Sequence, residues 1–443
     1  MDATPLSSSV SVDGTVTARR ERGRSTSRLA LYGVSAGAMT AFSLPLAAMP
    51  AQAAATGHDL ASSSFLATVF LAGIVAGELG AAAFIARTGT RVAILVGLVL
   101  LGAPSLMVAA SAEFGVWVAC GAVRGLGFAL VVIAAAAIAA ASAADGKLGA
   151  ELGWYGVAAG VPSIVALPLG LHLGETAGFW AVHVLAASAA LGALAAAAAL
   201  PGRRGRAPES AAATDAALRS GRRAARAGIR TMSRSPRAIV HAAALAAGAA
   251  TNGLFVVFVP LAGPAGGTAV VALLALAVGA PAGRVVAGRF GDRLGPRALL
   301  APALVLCGGG LALSAVTAVT ADPAVFVLGA CAAGFGFGVL QNATLQALCE
   351  GRPGGELAAA SALWNLAYDL GLAIGTFGFG LLGGLMAPTV AAAIAGAALP
   401  LVVGAWAVFC GRRSRSARAG SYDRTADAAT TTGVRNTAET PTA

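Results

Sequence analysis

The sequence predicts an all-α polytopic membrane protein, with twelve transmembrane helices set as two pseudo-symmetric six-helix bundles. Three observations predict it. The chain is 57% hydrophobic and only 11% charged, with 59 glycines, too apolar for a water-facing surface over 443 residues. Apolar runs of about 20 residues or more, enough to cross roughly 30 Å of hydrocarbon, recur twelve times. A polar knot after the second run returns after the eighth. Lipid offers the backbone no hydrogen bonds, and the short alternating strands of a barrel are absent, so each run is expected to be a helix.

The first run, 29–53, follows Arg19, Arg20, Arg22, Arg24 and Arg28. Its end, "PLAAMPAQAAA", imitates a signal-peptidase site. An apolar run of about 24 residues is long for a signal core of roughly 7 to 15, so a retained helix is expected. Runs 60–86 and 91–111 are joined by a turn holding Arg87 and Arg91. Runs 115–142 and 149–172 flank Lys147, and 178–200 leads to a connection, Pro201 to Arg237, that carries ten arginines. The second half repeats the plan with 238–262, 267–289, 298–320, 323–348, 357–383 and 388–410. Arg289, Arg293, Arg297 and Arg352 fall on the same side, whereas the intervening loops, such as "HLGETAG" and "AGPAGGT", have no Lys or Arg. By the positive-inside rule both termini and the long connection are cytoplasmic, in a multi-pass protein of the cell membrane. The net charge of +11 is thereby topological, and no nucleic-acid partner is expected.

This division predicts an N-terminal bundle over 29–200, a basic linker over 201–236 and a C-terminal bundle over 237–410. The linker is expected to form a short surface helix around Asp215 to Met232, lying on anionic lipid. Residues 1–28 and 411–443, rich in Ser, Thr, Ala and Arg, are expected to be disordered.

Moving the second half back by 206 positions aligns the two knots. Gly283 falls on Gly77, Arg284 on Glu78, Arg293 on Arg87, Gly295 on Gly89 and Arg297 on Arg91. Gly288, Asp292, Arg293, Gly295 and Arg297 match G-x-x-x-D-R-x-G-x-R, the loop signature of the major facilitator superfamily, and the chain resembles that family over about residues 29 to 410. In the first half Ala82 and Ala86 replace the signature's glycine and aspartate, leaving Arg87, Gly89 and Arg91. The resemblance implies secondary transport by rocking two bundles about a central site. It implies that this loop is a conformational latch, with Asp292 facing the start of helix five near Gly149 to Gly153. Glycines permit the tight turn, and the arginines suit acids or lipid headgroups.

Charges inside the spans each cost at least about 2.5 kcal/mol, so each needs protein, water or a partner. Four stand out: Glu78, Arg124, Arg284 and Asp369. Pairing of the two acids with the two bases is one reading. In the other, Asp369 is a proton-coupling acid in "SALWNLAYDLG", a segment that resembles helix eleven of bacterial efflux members of the family. Glu78 is a candidate for pairing, gating or proton carriage, and Arg284 for a structural or gating role. Arg124 precedes Gly125 in "CGAVRGLGFALVV"; drug–proton antiporters of the family carry a helix-four arginine about four residues before such a glycine pair. It is a candidate for coupling or for partnering an acid. Gly156, Gly160, Pro168 and Gly170 supply small-residue spacing and a bend to helix five, although the antiporter G-P pair is missing. Asn252, Gln341, Asn342, Trp364, Asn365 and Tyr368 are cavity-lining candidates, with interhelical hydrogen bonding as the commoner role for the amides.

The five cysteines form no CxxC pair and read as packing residues, and no metal site or P-loop appears. An enzyme is not expected, nor a cofactor beyond the proton gradient. The expected function is proton-coupled export of a hydrophobic or amphipathic small molecule by a monomer in the lipid bilayer. Uptake by symport or facilitation remains open, because the first span lacks the acid of some exporters. A scaffold or sensor fits less well with costly intramembrane charges.

Overall fold

The computed structural model describes residues 10–142, 148–200, 235–264, 267–316, 322–350, 354–398 and 401; within its helices the side chains of 10–25, 140, 148–154, 292 and 354–358 lie outside the description. The described chain is helical throughout, with no strand. Helices α1 (Val10–Ala55), α2 (Leu60–Thr88), α3 (Thr90–Ala110), α4 (Phe114–Ser142), α5 (Leu148–Ala177) and α6 (Phe179–Ala198) make the first half. The second holds α7 (Pro236–Ala262), α8 (Thr268–Leu294), α9 (Leu300–Ala315), α10 (Pro323–Cys349), α11 (Gly354–Gly383) and the short α12 (Pro388–Ala398). Among the described residues eleven helices are long and apolar enough to cross a membrane. The end of the twelfth expected run, the linker with its expected surface helix, and the tail lie outside the described residues.

One boundary differs from expectation. Residues 10–28, expected to be disordered, continue α1 without a break. The segment has no proline, and "ARRER" is made of good helix formers. Growing backwards from an established span, it avoids the nucleation step that makes short isolated helices marginal.

The internal repeat shows in the backbone. Gly89 ends α2 with φ 90° and ψ 161°, and Gly295, aligned with it by the sequence, ends α8 with φ 79° and ψ 144°. This region is nearly closed to residues with a Cβ, so both knots require glycine at the same place. At the opposite end Asp59 caps α2, accepting a hydrogen bond from the Ser62 N–H at 2.8 Å. Hydrogen bonds from Ser62 hold its carboxyl below the usual carboxylate range.

Within the first half α1 packs on α5 and α6, α2 on α4, and α3 on α4 and α6. Within the second α10 packs on α8 and α9, and α7 on α11. Helices approach closely where glycine removes the side chain. A Cβ on Gly338 would strike the Ala280 carbonyl, and one on Gly170 the Leu44 carbonyl. Without water to squeeze out, this close van der Waals contact is what holds membrane helices together. The halves meet through α2 on α11, α5 on α8 and α1 on α7, while among the described residues α4 and α10 make no comparable contact.

Candidate functional site

The α2–α11 seam runs from the arginine-free end of the molecule towards its middle. At its far end Gly383 lies on Leu60 and Gly380 on Ser64, each so close that a Cβ would clash. One turn further in, Thr68 and Thr376 bring their hydroxyls to 3.0 Å. Each hydroxyl also has a local backbone acceptor, Ser64 for Thr68 and Ala373 for Thr376, so neither is orphaned. Deeper along the same seam Glu78 of α2 and Asp369 of α11 come close enough for their carboxyl groups to interact. The sequence placed these two acids on different halves, and the fold joins them.

That pairing changes the expected charge pattern. Among the described residues neither acid forms an ion pair with Arg124 or Arg284. Arg284 instead donates from Nε to Gln341 Oε1 at 2.6 Å, and its carbonyl accepts from Asn342 Nδ2 at 2.8 Å. Gln341 is buried on α10, and its carbonyl accepts from Trp364 Nε1 at 3.2 Å, which also reaches Thr344 Oγ1 at 3.1 Å. Trp364 stacks on Tyr368 with ring centroids 5.6 Å apart, and Tyr368 stacks in turn on Phe337 at 5.7 Å. One connected set of side chains from α8, α10 and α11 thus leads to the residue before Asp369. Four of the six cavity candidates, Gln341, Asn342, Trp364 and Tyr368, belong to it. Asn365 is exposed on α11, and Asn252, half-buried on α7, joins none of these bonds.

Arg124 occupies a separate place inside the first half and is fully buried. Its Nη2 donates to the Ala41 carbonyl at 3.0 Å, its Nη1 approaches Met49 Sδ at 3.4 Å, and its guanidinium sits 4.9 Å above the Phe70 ring. Nε has no partner. Carbonyl, thioether and π-face are soft substitutes for a carboxylate, so the sequence-level option of an acid partner is replaced by these contacts. His183 lies in the same interior and bonds Gln52 through Nε2 at 2.7 Å, a pairing that no sequence signal singled out.

The helix-five glycines divide. Gly170 makes the close contact with Leu44, whereas Gly156 and Gly160 have nothing within 4 Å of where a Cβ would stand. Their spacing therefore does not form a continuous packing face. Pro168 is buried beside Gly170. In the knots, Arg91 donates from Nη2 to the Ala198 carbonyl at 2.8 Å and so closes the last turn of α6 rather than holding an acid. Arg293 and Arg297 are exposed, and Gly288 lies beside Asn342 Nδ2. The expected latch contact, from the Asp292 side chain to Gly149–Gly153, lies outside the described residues.

A family model described as Major Facilitator Superfamily matches residues 31–376. Among solved structures, the chain is similar to a POT family transporter in complex with 5-aminolevulinic acid, with TM-score 0.68, 14% identity, and 87% of this chain and 96% of that one covered. It is also similar to a mutant peptide transporter POT in complex with alafosfalin, with TM-score 0.67, 17% identity, and 87% and 95% covered. At such identities the likeness is one of fold. No curated protein matches the sequence.

Proposed function

Because the chain belongs to the Major Facilitator Superfamily and is a membrane transporter, we propose that it couples transport to protons through the Glu78–Asp369 pair, exporting a hydrophobic or amphipathic small molecule. The observation that carries this reading is the meeting of two carboxyls, one from each half, at the inner end of a closed seam. Two carboxyls held side by side in an apolar setting are best accommodated when one carries a proton and donates it to the other, because a carboxylate only accepts hydrogen bonds. Loss of that proton leaves two negative charges face to face in a poorly screened place. The protonated pair holds α2 to α11, and the deprotonated pair pushes them apart.

Rocking of the halves follows from this. With the arginine-bearing end in the cytoplasm, as the positive-inside rule has it, the seam closes the outer side. A proton taken up from outside closes the seam. Its release inside frees the carboxylates to face the polar head of a cargo molecule, whose exit accompanies reopening. Aromatic surfaces of Trp364, Tyr368 and Phe337 suit the apolar part of such a cargo. The second reading, uptake of a carboxylate-bearing molecule with protons, has one observation in its favour. Arg124 is a buried cation without an acid, and a cargo carboxylate would complete it.

The test uses inverted membrane vesicles energised to an acidic interior, with a pH-sensitive dye reporting proton loss as compounds are added outside. Export predicts compound-dependent proton loss in the wild type that disappears in Asp369→Asn and in Glu78→Gln. Equal loss in both variants would remove the acid pair from the coupling path. Proton gain by de-energised vesicles on adding a carboxylate compound, lost in Arg124→Gln, would select uptake instead.

A further inference from the structure

Arg284 of α8 has hydrogen-bonding capacity that the fold does not use. Its Nε donates to Gln341 Oε1 at 2.6 Å, and Gln341 is buried on α10. That bond pins the side chain, while among the described residues neither Nη atom makes a hydrogen bond or an ion pair. Arg284 is exposed, unlike the fully buried Arg124. A planar guanidinium held at one corner and open at the other two can take an oxyanion at two points.

The faces of α8 show where it opens. Val271, Leu274, Val278 and Val285, all exposed and apolar, fall along one side and mark the face turned to lipid. Gly279 and Gly283 mark the face packed on α10, where a Cβ on Gly283 would strike the Phe335 carbonyl. At about 100° per residue, Arg284 lies on neither of these but on a third face. The internal repeat identifies it. Gly77 packs on α4 as Gly283 packs on α10, so Glu78 and Arg284 are equivalent positions, and Glu78 turns to α11 of the opposing half. In the same way α8 packs on α5 of the opposing half.

The equivalence ends at the partner. The offset of 206 sets Ser163 of α5 on Asp369 of α11, so where Glu78 meets a carboxyl Arg284 is offered a hydroxyl, one already bonded to Ser43 at 2.9 Å. Other acids on these helices are remote in sequence. Glu151 and Glu175 each lie twelve residues from Ser163, Glu356 lies twelve before Tyr368, and Asp292 lies eight beyond Arg284, more than two turns in every case. A cation therefore faces the space between the halves without an acid of its own.

We propose that Arg284 is the anion-recognition residue of the transport cavity, taking a carboxylate of the cargo at its two Nη atoms. The inference rests on the transport reading above and names the cargo more closely, as an amphipathic molecule that bears an organic anion. Its apolar part finds aromatic rings beside the anion, because Trp364, stacked on Tyr368, bonds the carbonyl of the same Gln341 that fixes Arg284. Tyr368 lies close enough to sense both Arg284 and Asp369. A cargo spanning that ring reaches Arg284 with its anionic end and the acid pair with its polar head.

The test follows the thermal unfolding midpoint of the full-length protein in an uncharged detergent at constant ionic strength and neutral pH. Two matched pairs are added in turn, phenylbutyrate with phenylbutyramide and naphthylacetate with naphthylacetamide, so that only the anion changes within a pair. The wild type should bind the carboxylate of at least one pair about tenfold or more tightly than its amide, the worth of a charge-assisted hydrogen bond. Arg284→Gln should erase that preference and leave the affinity for the amide as it was, a split that general loosening of the fold does not produce. Arg284→Lys, a charge without the fork, should keep part of it, and Arg289→Gln, which removes an exposed charge of the same helix, should keep all of it. No preference for the carboxylate in either pair, or a preference that survives in Arg284→Gln, overturns the proposal. So does stabilisation by dioctanoyl phosphatidylglycerol that needs Arg284 when neither carboxylate does, which gives the arginine to a lipid headgroup. Binding at equilibrium uses no proton gradient, so these outcomes stand apart from the vesicle assay, whose failure would remove proton coupling and leave anion recognition in place.

Discussion

At the residue scale the decisive fact is which charges meet. Glu78 and Asp369 were each visible as intramembrane acids, because a carboxyl in an apolar run is costly and conspicuous. Their meeting was not visible, since it depends on which helices of the two halves touch, and sequence periodicity carries no information on that. The same holds for Arg284, whose partner is a neutral amide, Gln341, and for Arg124, whose partners are a backbone carbonyl, a thioether and a ring. Backbone carbonyls leave no signature in the amino-acid types. A consequence follows for Arg124. A buried cation with only soft partners keeps most of its desolvation cost, so Arg124→Met, similar in length and uncharged, is expected to leave the thermal midpoint unchanged or raised. A clear drop in the midpoint would show that its contacts outweigh that cost.

At the element scale the sequence was most informative where glycine is obligatory. The offset of 206 paired Gly89 with Gly295 before any backbone angle was known, and both adopt the positive-φ bend that ends their helices. Gly89→Ala and Gly295→Ala are each expected to cost about 1–3 kcal/mol, measured as a lowered unfolding midpoint, with the two losses adding because the turns are distant. Equal stability of either variant would mean that the turn can relax to ordinary angles. Glycine elsewhere was less legible. In α5, Gly156, Gly160 and Gly170 look alike as letters, yet only Gly170 meets a neighbouring backbone. Small residues permit close approach without requiring it, and the position of the opposing half decides. The start of α1 was misjudged for a related reason: polar composition reads as disorder, whereas attachment to a preformed span extends a helix.

At the scale of the whole molecule, the closed seam between α2 and α11 and the absence of a comparable α4–α10 contact define one arrangement of two halves that must move for transport. Thr68 and Thr376 sit opposite each other in that seam, 3.0 Å apart. Thr68→Cys with Thr376→Cys, oxidised in a cysteine-free background, is expected to lock the seam and stop transport, and reduction is expected to restore it. Full activity of the oxidised, cross-linked protein would mean that α2 and α11 stay together throughout the cycle. The helices and the twofold plan were legible from composition and periodicity, but the arrangement of the halves was not, because alternating states share one sequence. The central claim is that a single proton joins Glu78 to Asp369 and that its loss opens the seam. Spin labels at Ser62, near the start of α2, and at Leu385, in the turn just after α11, would report this directly through their separation by pulsed electron resonance. The separation should be short at acid pH and lengthen at alkaline pH in the wild type, and should stay short at both in Asp369→Asn, where an amide can donate without a titrating proton. A wild-type separation that ignores pH, or a variant that lengthens as the wild type does, would contradict it.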